Sequence, residues 1–326
     1  MTPALKEYDY IILATSGGKD SQACFFHLMD LGVPPQKIEL WHHLIDGEDD
    51  FMDWPCTRSY CNNFAQAFNA PIFFSWKQQG FRGELLRKRE KTKPTTFEMP
   101  DDYGNIIECS VGGRGGKKAT RLKFPQVAAD LRVRWCTAYL KIDPADKALA
   151  NQRRFRNKKI LFITGERAEE SPNRAKYAEF EPHRADLRNG KRFIRHIDHW
   201  RPVHQWTEEK IWAIIEKNKV VPHPAYRLGW GRLSCITCIF GSSNQWASIF
   251  KIDSERIKML AGYEKEFGYT IHRTMDIWKR ISEGVSYEGM SPELIGMGLS
   301  KKYTGKIFTD KWELPKGAFG ESAGPS

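Results

Sequence analysis

Long hydrophobic runs are absent from this 326-residue chain. No apolar stretch approaches the ~20 residues that a membrane-spanning helix needs. The opening Met1-Thr2-Pro3-Ala4-Leu5-Lys6 leads straight into a strand-like segment, so no signal peptide is expected and the chain is placed in the cytoplasm, with no membrane partner. Acidic residues are in deficit, 40 against 51 Lys and Arg, for a net charge of +11. That balance favours a polyanionic partner, a nucleic acid or a nucleotide. Cysteines number seven, an odd count that argues against a disulfide framework and leaves reactive or ligating thiols. The histidines lack the H-x-x-x-H spacing of a metal-binding helix, and His42 and His43 fall on opposite faces of a strand. They are read as core or surface residues, and Trp200 and Trp206 as packing around Pro202. No internal repeat is present.

What is present is a sharp punctuation near the start. Tyr10 to Ala14 is an apolar run of strand length. Ser16-Gly17-Gly18-Lys19-Asp20-Ser21 follows at once, and Ala23, Phe26, Leu28 and Met29 then carry a helical period. A strand, a glycine-rich turn and a helix N-terminus present backbone N–H groups to an anion. The glycines permit close approach, and Lys19 adds a point charge. The spacing is neither a Walker A loop nor the dinucleotide G-x-G-x-x-G.

Further along, Lys37–Ile45 and Pro71–Trp76 read as strands, with a helix over Asn63–Phe68 between them. Residues 9–76 therefore alternate strand and helix, the pattern of a parallel sheet with helices on both faces. Residues 77–125 lose that rhythm and read as a basic, glycine-rich insertion or flexible loop. Gln126–Leu131 resumes a helical pattern, and Lys159–Thr164 is a buried strand. Arg195–Trp206 holds a short strand and a turn, and Thr207 is the N-cap of a helix reaching Lys217. Beyond about residue 245 the chain reads as mostly helical, best over Ile252–Phe267 and Thr274–Ser282. Gly317–Ser326 is small and polar and is expected to fray. Basic residues concentrate in Arg87–Lys93, Arg114–Lys123 and Arg153–Lys159.

The glycine-rich turn resembles the PP-loop of ATP pyrophosphatases, which split ATP between the α- and β-phosphates. Arg134-Trp135-Cys136, with Lys141 and Pro144, is similar to the cysteine segment of the phosphoadenosine phosphosulfate reductase family. Thr164-Gly165-Glu166-Arg167, with Glu170, Ser171 and Arg174, resembles a second signature of that family. Arg201-Pro202, Trp206, Pro222 to Tyr226 and Cys235-Ile236-Thr237-Cys238 continue its order. The resemblance implies an α/β PP-loop fold, a parallel sheet flanked by helices, over residues 1–240, and leaves 241–326 as a helical C-terminal portion. Two departures matter. The family's attacking tail cysteine has no counterpart after Cys238, and Thr137 stands where the family has a second cysteine.

What remains is similar to the ATP-pyrophosphatase components of DNA phosphorothioation systems and, more distantly, to sulfur-inserting tRNA enzymes. The resemblance implies ATP and Mg²⁺ as cofactors, DNA or another nucleic acid as substrate, and a cysteine desulfurase with other modification proteins as partners. ATP would be held by Ser16, Gly17, Gly18, Lys19, Asp20, Ser21, Asp46 and Gly165. Lys19, Asp20, Arg167 and Arg174 would serve catalysis, with Asp20 near Mg²⁺ or bracing the loop. A salt bridge to Glu169 or Glu170 is the plain alternative for Arg174, and a turn role for Asp46. Cys136, Cys235 and Cys238 would ligate an iron–sulfur cluster of the 4Fe–4S type, with Cys56 or Cys61 as a fourth ligand. Zinc, a redox dithiol and a structural role stay open. Two rivals stand beside this reading, a sulfonucleotide reductase and a nucleotide- or nucleic-acid-binding module without turnover.

Overall fold

The computed structural model describes residues 2–321. Eight strands form one sheet: β1 Tyr10–Ala14, β2 Ile38–Leu44, β3 Ile72–Lys77, β4 Thr95–Pro100, β5 Ile106–Val111, β6 Lys159–Ile163, β7 Phe180–Pro182 and β8 His196–Trp200. The helices are α1 Lys19–Asp30, α2 Thr57–Ala67, α3 Gly80–Leu85, α4 Trp135–Thr137, α5 Asp143–Asn151, α6 Glu208–Lys217, α7 Pro224–Arg227, α8 Ser243–Ile252, α9 Ser254–Phe267, α10 Ile277–Ser282 and α11 Pro292–Leu299.

The strand order is β5-β4-β3-β2-β1-β6-β8-β7. Strands β3, β2, β1, β6 and β8 run parallel, while β4, β5 and β7 are antiparallel to their neighbours. This is the expected α/β fold, a mostly parallel sheet flanked by helices. Strand β1 is central, and the chain leaves it to β2 on one side and β6 on the other. Ligands of such sheets bind where the order reverses, beyond the carboxyl ends of the strands. The glycine-rich turn lies there.

The central strands are buried on both faces and read as unbroken apolar runs. Ile11 and Leu13 join a large core on one face, while Ile12 joins a second core with Trp41, Phe73, Phe97, Leu149 and Phe162 on the other. The large core continues through Trp230, Trp246, Ile257 and Leu260 to Ile307, so the C-terminal helices pack on the same apolar mass as β1.

Three expectations about local structure are corrected. Residues 77–125 are not a loose insertion. They hold α3 and the β4–β5 hairpin, whose six-residue register runs from Thr95↔Val111 to Pro100↔Ile106. Gln126–Leu131 is not helical; the chain turns there, and helical structure starts at Trp135, passing through a π-helical stretch at Ala138–Ile142 into α5. The fraying expected of the end does not apply to Gly317–Glu321. Gly317 donates its N–H to the Tyr226 carbonyl at 2.8 Å, and Glu321 bonds Ser242 and Asn244. Residues 322–326 of that segment lie outside the described residues.

Candidate nucleotide site

The turn between β1 and α1 is built by its own hydroxyls. Ser16, Gly17 and Gly18 donate their N–H groups to Ser21 Oγ, Thr15 Oγ1 and Ser16 Oγ at 3.3–3.4 Å. These bonds are long, and an anion with strong acceptor oxygens can displace them. Gly17 has φ +74°, and a Cβ there would sit 3.0 Å from Cys61 Sγ, so the position needs glycine on both counts. A Cβ on Gly165 would come within 2.9 Å of the Asp20 carbonyl carbon, so Gly165 lets the β6 loop lie against the first turn of α1.

Above the turn opens a cavity of about 710 Å³. Ser16, Gly18, Asp20 and Ser21 line it from the turn, and Gly165 and Arg174 from the loop after β6. Gly17, Lys19, Arg167 and Asp46 are not on its wall.

Lys19 is the first surprise. Off the cavity wall, its Nζ donates to the Gly231 carbonyl at 2.8 Å and lies 3.5 Å from Glu208. Burial alone would lower its pKa, but Tyr226, Asp20 and Glu208 around it outweigh that and hold it cationic. The backbone N–H of Lys19 and that of Leu233 both donate to the Tyr226 hydroxyl, at 3.0 and 3.2 Å. Lys19 thus clamps the turn to the 229–233 loop, in place of the phosphate contact expected of it.

Arg167 likewise is a brace. It is buried and pairs with Asp20 at 2.6 Å, with Glu169, and more distantly with Glu208. Burial opposes its charge, and Asp20 with Glu170 and Glu169 more than restores it. Arg174 does face the cavity, while its guanidinium pairs with Glu170, the plainer alternative for it. Asp46 is absorbed by a turn. Its Oδ2 accepts the N–H groups of Phe51, Met52 and Asp53 at 3.0, 2.7 and 2.7 Å.

The cavity wall also carries residues that motif reading left without a role. Arg134, Lys141, Arg201, Asp53, Glu166 and His199 all line it. Arg134 is buried, yet its Nε and Nη1 have no hydrogen-bond partner, and no carboxylate among the described residues pairs with it. Burial lowers its pKa. Arg134 and Lys141 belong to one motif, and nothing local to that motif determines which side chain stays uncompensated.

Asp53 is held protonated to about pH 7, first by burial and then by the charge of Asp46. A carboxyl whose folded pKa lies above its unfolded value of 3.8 contributes stability below that value and loses it as pH rises through the folded pKa. Asp53→Asn should therefore flatten the fall in stability that the native chain shows between about pH 4 and 7, measured by urea midpoints across that range. A native profile with the same slope as the variant would refute the assignment.

The cysteines divide. Burial and the neighbouring Cys238 push Cys136 up to about 11 and Cys235 well above the usual thiol range. These three are within electrostatic reach of one another, and Cys235 reaches the cavity wall. Cys56 instead lies 3.3 Å from His223 Nε2, and Cys61 sits under Gly17, 3.8 Å from His42 Nδ1. Among the described residues, no group of three or more His, Cys, Asp or Glu side chains is arranged to hold a metal ion.

A model of the phosphoadenosine phosphosulfate reductase domain matches residues 91–240. The match starts after the glycine-rich turn and takes in Arg134, Cys136, Lys141, Gly165, Arg174 and the Cys235–Cys238 segment. An uncharacterized 37.8 kDa protein of Escherichia phage 186 is 29% identical over 143 residues, 44% of this chain and 40% of that protein. An adenosine 5′-phosphosulfate reductase of Neisseria meningitidis is 29% identical over 107 residues, 32% of this chain and 36% of the enzyme. One from Allochromatium vinosum is 30% identical over 103 residues, 32% of this chain and 34% of the enzyme. The chain thus spans well under half the length of the curated relatives it matches. Together with the fold, these similarities support the phosphoadenosine phosphosulfate reductase-like superfamily. No helix among the described residues is long and apolar enough to cross a membrane.

Proposed function

We propose that this chain cleaves ATP between its α- and β-phosphates and transfers the adenylyl group to an oxygen on nucleic acid, preparing that position for sulfur. The observation that carries the reading is the cavity over the β1–α1 turn, with the weakly bonded N–H groups of Ser16 and Gly18 at its floor and the uncompensated Arg134 on its wall. A triphosphate supplies stronger acceptors than the hydroxyls these N–H groups hold, and the acceptors that Arg134 lacks. Asp20 keeps one carboxylate oxygen on Arg167 and lines the cavity, a position suited to a Mg²⁺ bound with the phosphates.

In the forward step the acceptor oxygen attacks the α-phosphorus, the α–β bridging bond breaks, and pyrophosphate leaves. The turn's N–H groups and the cavity arginines stabilise charge on the departing oxygens. AMP leaves with the activated oxygen when the terminal sulfur of a persulfide on a cysteine desulfurase partner attacks the activated atom, and an external thiol then reduces the S–S bond so formed, which frees the partner and leaves the sulfur on the nucleic acid. DNA phosphorothioate formation is the preferred outcome, and the net charge of +11 supports a polyanionic acceptor.

Anaerobic incubation with α-labelled ATP, with and without DNA or tRNA, tests this. AMP and pyrophosphate should appear together, faster with the true acceptor, and should be lost in Asp20→Ala. No AMP with any nucleic acid would end the proposal.

The adenosine 5′-phosphosulfate reductase relatives and the thiol of Cys235 at the cavity wall favour a second reading, a sulfonucleotide reductase-like enzyme. Sulfite released from adenosine 5′-phosphosulfate with a dithiol reductant, and none with Cys235→Ser, would select it over the first.

A further inference from the structure

Strand β5 is the outer edge of the sheet. Its sequence is Ile106-Ile107-Glu108-Cys109-Ser110-Val111, strongly β-forming and apolar at both ends. Ile106 is 59% exposed and Ile107 40%. An open, apolar edge strand is a template for another strand unless it is short, charged, proline-bearing or covered. Here β5 pairs with β4 over its full six residues on the inner side and with no strand on the outer.

We propose that β5 pairs with β5 of a second copy of this chain, antiparallel about a two-fold axis, joining two sheets into one. Three observations select this occupant and its register. In such a pair, directly opposite residues point to the same face, so the axis passes through a residue and not between two. Centring on Glu108 would set two carboxylates directly opposite, which is unfavourable. Centring on Cys109 sets Ile107 against the partner copy's Val111, and Glu108 against its Ser110.

The odd-numbered residues also face the right way. Cys109 stands opposite Phe97 on β4, and both Cys109 and Val111 pack against the second core with Trp41 and Phe162. The Ile107–Val111 pairs would continue that core across the axis and cover the exposed part of Ile107. Finally, the charges match. The turn before β5 carries Asp101 and Asp102, and the segment after it carries Arg114, Lys117 and Lys118. Antiparallel pairing brings the acidic end of each copy to the basic end of the other, whereas parallel pairing would set like against like.

Cys109 is the reporter. Directly opposite residues of an antiparallel pair have Cα atoms ~4.5–5.5 Å apart, within disulfide reach. Diamide, an electron acceptor, oxidises two Cys109 thiols to one disulfide and is itself reduced by the two electrons and two protons released. The native chain at tens of micromolar should show twice the monomer mass by light scattering. Diamide should give a covalent dimer on non-reducing gels. Cys109→Ser should keep the doubled mass and lose the covalent band. Ile107→Lys, an exposed substitution, should halve the mass with an unchanged circular dichroism spectrum.

A native chain of monomer mass overturns the proposal, as does a dimer that survives Ile107→Lys. Monomers whose hairpin is protected only on adding DNA would also overturn it and assign the edge to nucleic acid. None of these readouts involves ATP, so the result is independent of the ATP chemistry.

Discussion

Arg134→Met is expected to leave the empty protein as stable as the native chain, or more stable by roughly 1 kcal/mol, while weakening ATP binding roughly 10- to 100-fold. The two effects have one cause. Arg134 is buried with two guanidinium nitrogens unbonded and no carboxylate beside it. A buried charge without a partner costs free energy, and methionine of similar length removes that cost. The same unbonded donors are what an anion in the cavity would satisfy, and bonds between charged groups are worth about 1.5–3 kcal/mol each. Urea unfolding of the apo protein and calorimetric titration with ATP or pyrophosphate measure the two quantities separately. A loss of stability in this variant would show that Arg134 is compensated, and unchanged binding would show that the cavity anion lies elsewhere.

Arg167→Met should behave in the opposite way, losing about 3 kcal/mol of stability. Its guanidinium holds Asp20, Glu169 and Glu208 together beneath the cavity. Without it, three carboxylates share a site where Lys19 is the cation left, and Lys19 is bonded to Gly231. Asp20 opens α1, so its displacement would also disturb the turn. ATP turnover is expected to fall with the stability although Arg167 is not on the cavity wall. An Arg167→Met protein that unfolds at the native urea midpoint would contradict this ion network. The pair of variants separates an arginine that the fold has already neutralised from one that it has left for a ligand.

The contrast also marks where sequence stopped being informative. Tyr10–Ala14, Ile38–Leu44 and Ile72–Lys77 announce themselves because a parallel central strand is apolar on both faces. Thr207 announces α6 because an N-cap is a local device, and its side chain does accept the Lys210 N–H. The β4–β5 hairpin stayed hidden because an edge pair is half exposed. Glu98, Glu108 and Ser110 interrupt its apolar residues, and glycines follow it.

The helix expected at Gln126–Leu131 had an acceptable pattern, but its polar groups are used otherwise. Gln126 donates across to the Thr270 and Ile271 carbonyls, and the Asp130 carbonyl accepts from Val133 and Arg134. For the site, the glycines and hydroxyls of the turn were legible, because their work is done within six residues. The direction of Lys19 was not, since Gly231 and Glu208 decide it from the far end of the chain. Neither was the isolation of Arg134, since the absence of a partner is a property of the folded surroundings and of no motif.

That distance has a consequence in time. The turn at Ser16–Ser21 leaves the ribosome well before Tyr226 and Gly231, which fix Lys19 and are separated from it by 207 and 212 positions. At the usual pace of synthesis those positions take roughly 10–40 s to add. Through that interval the nascent chain carries the glycine-rich turn without its clamp, with Lys19 free in place of bonded. The clamp is thus acquired late in the making of the protein, and a ribosome that stalls before residue 226 leaves a chain with the glycine-rich turn and nothing to hold it.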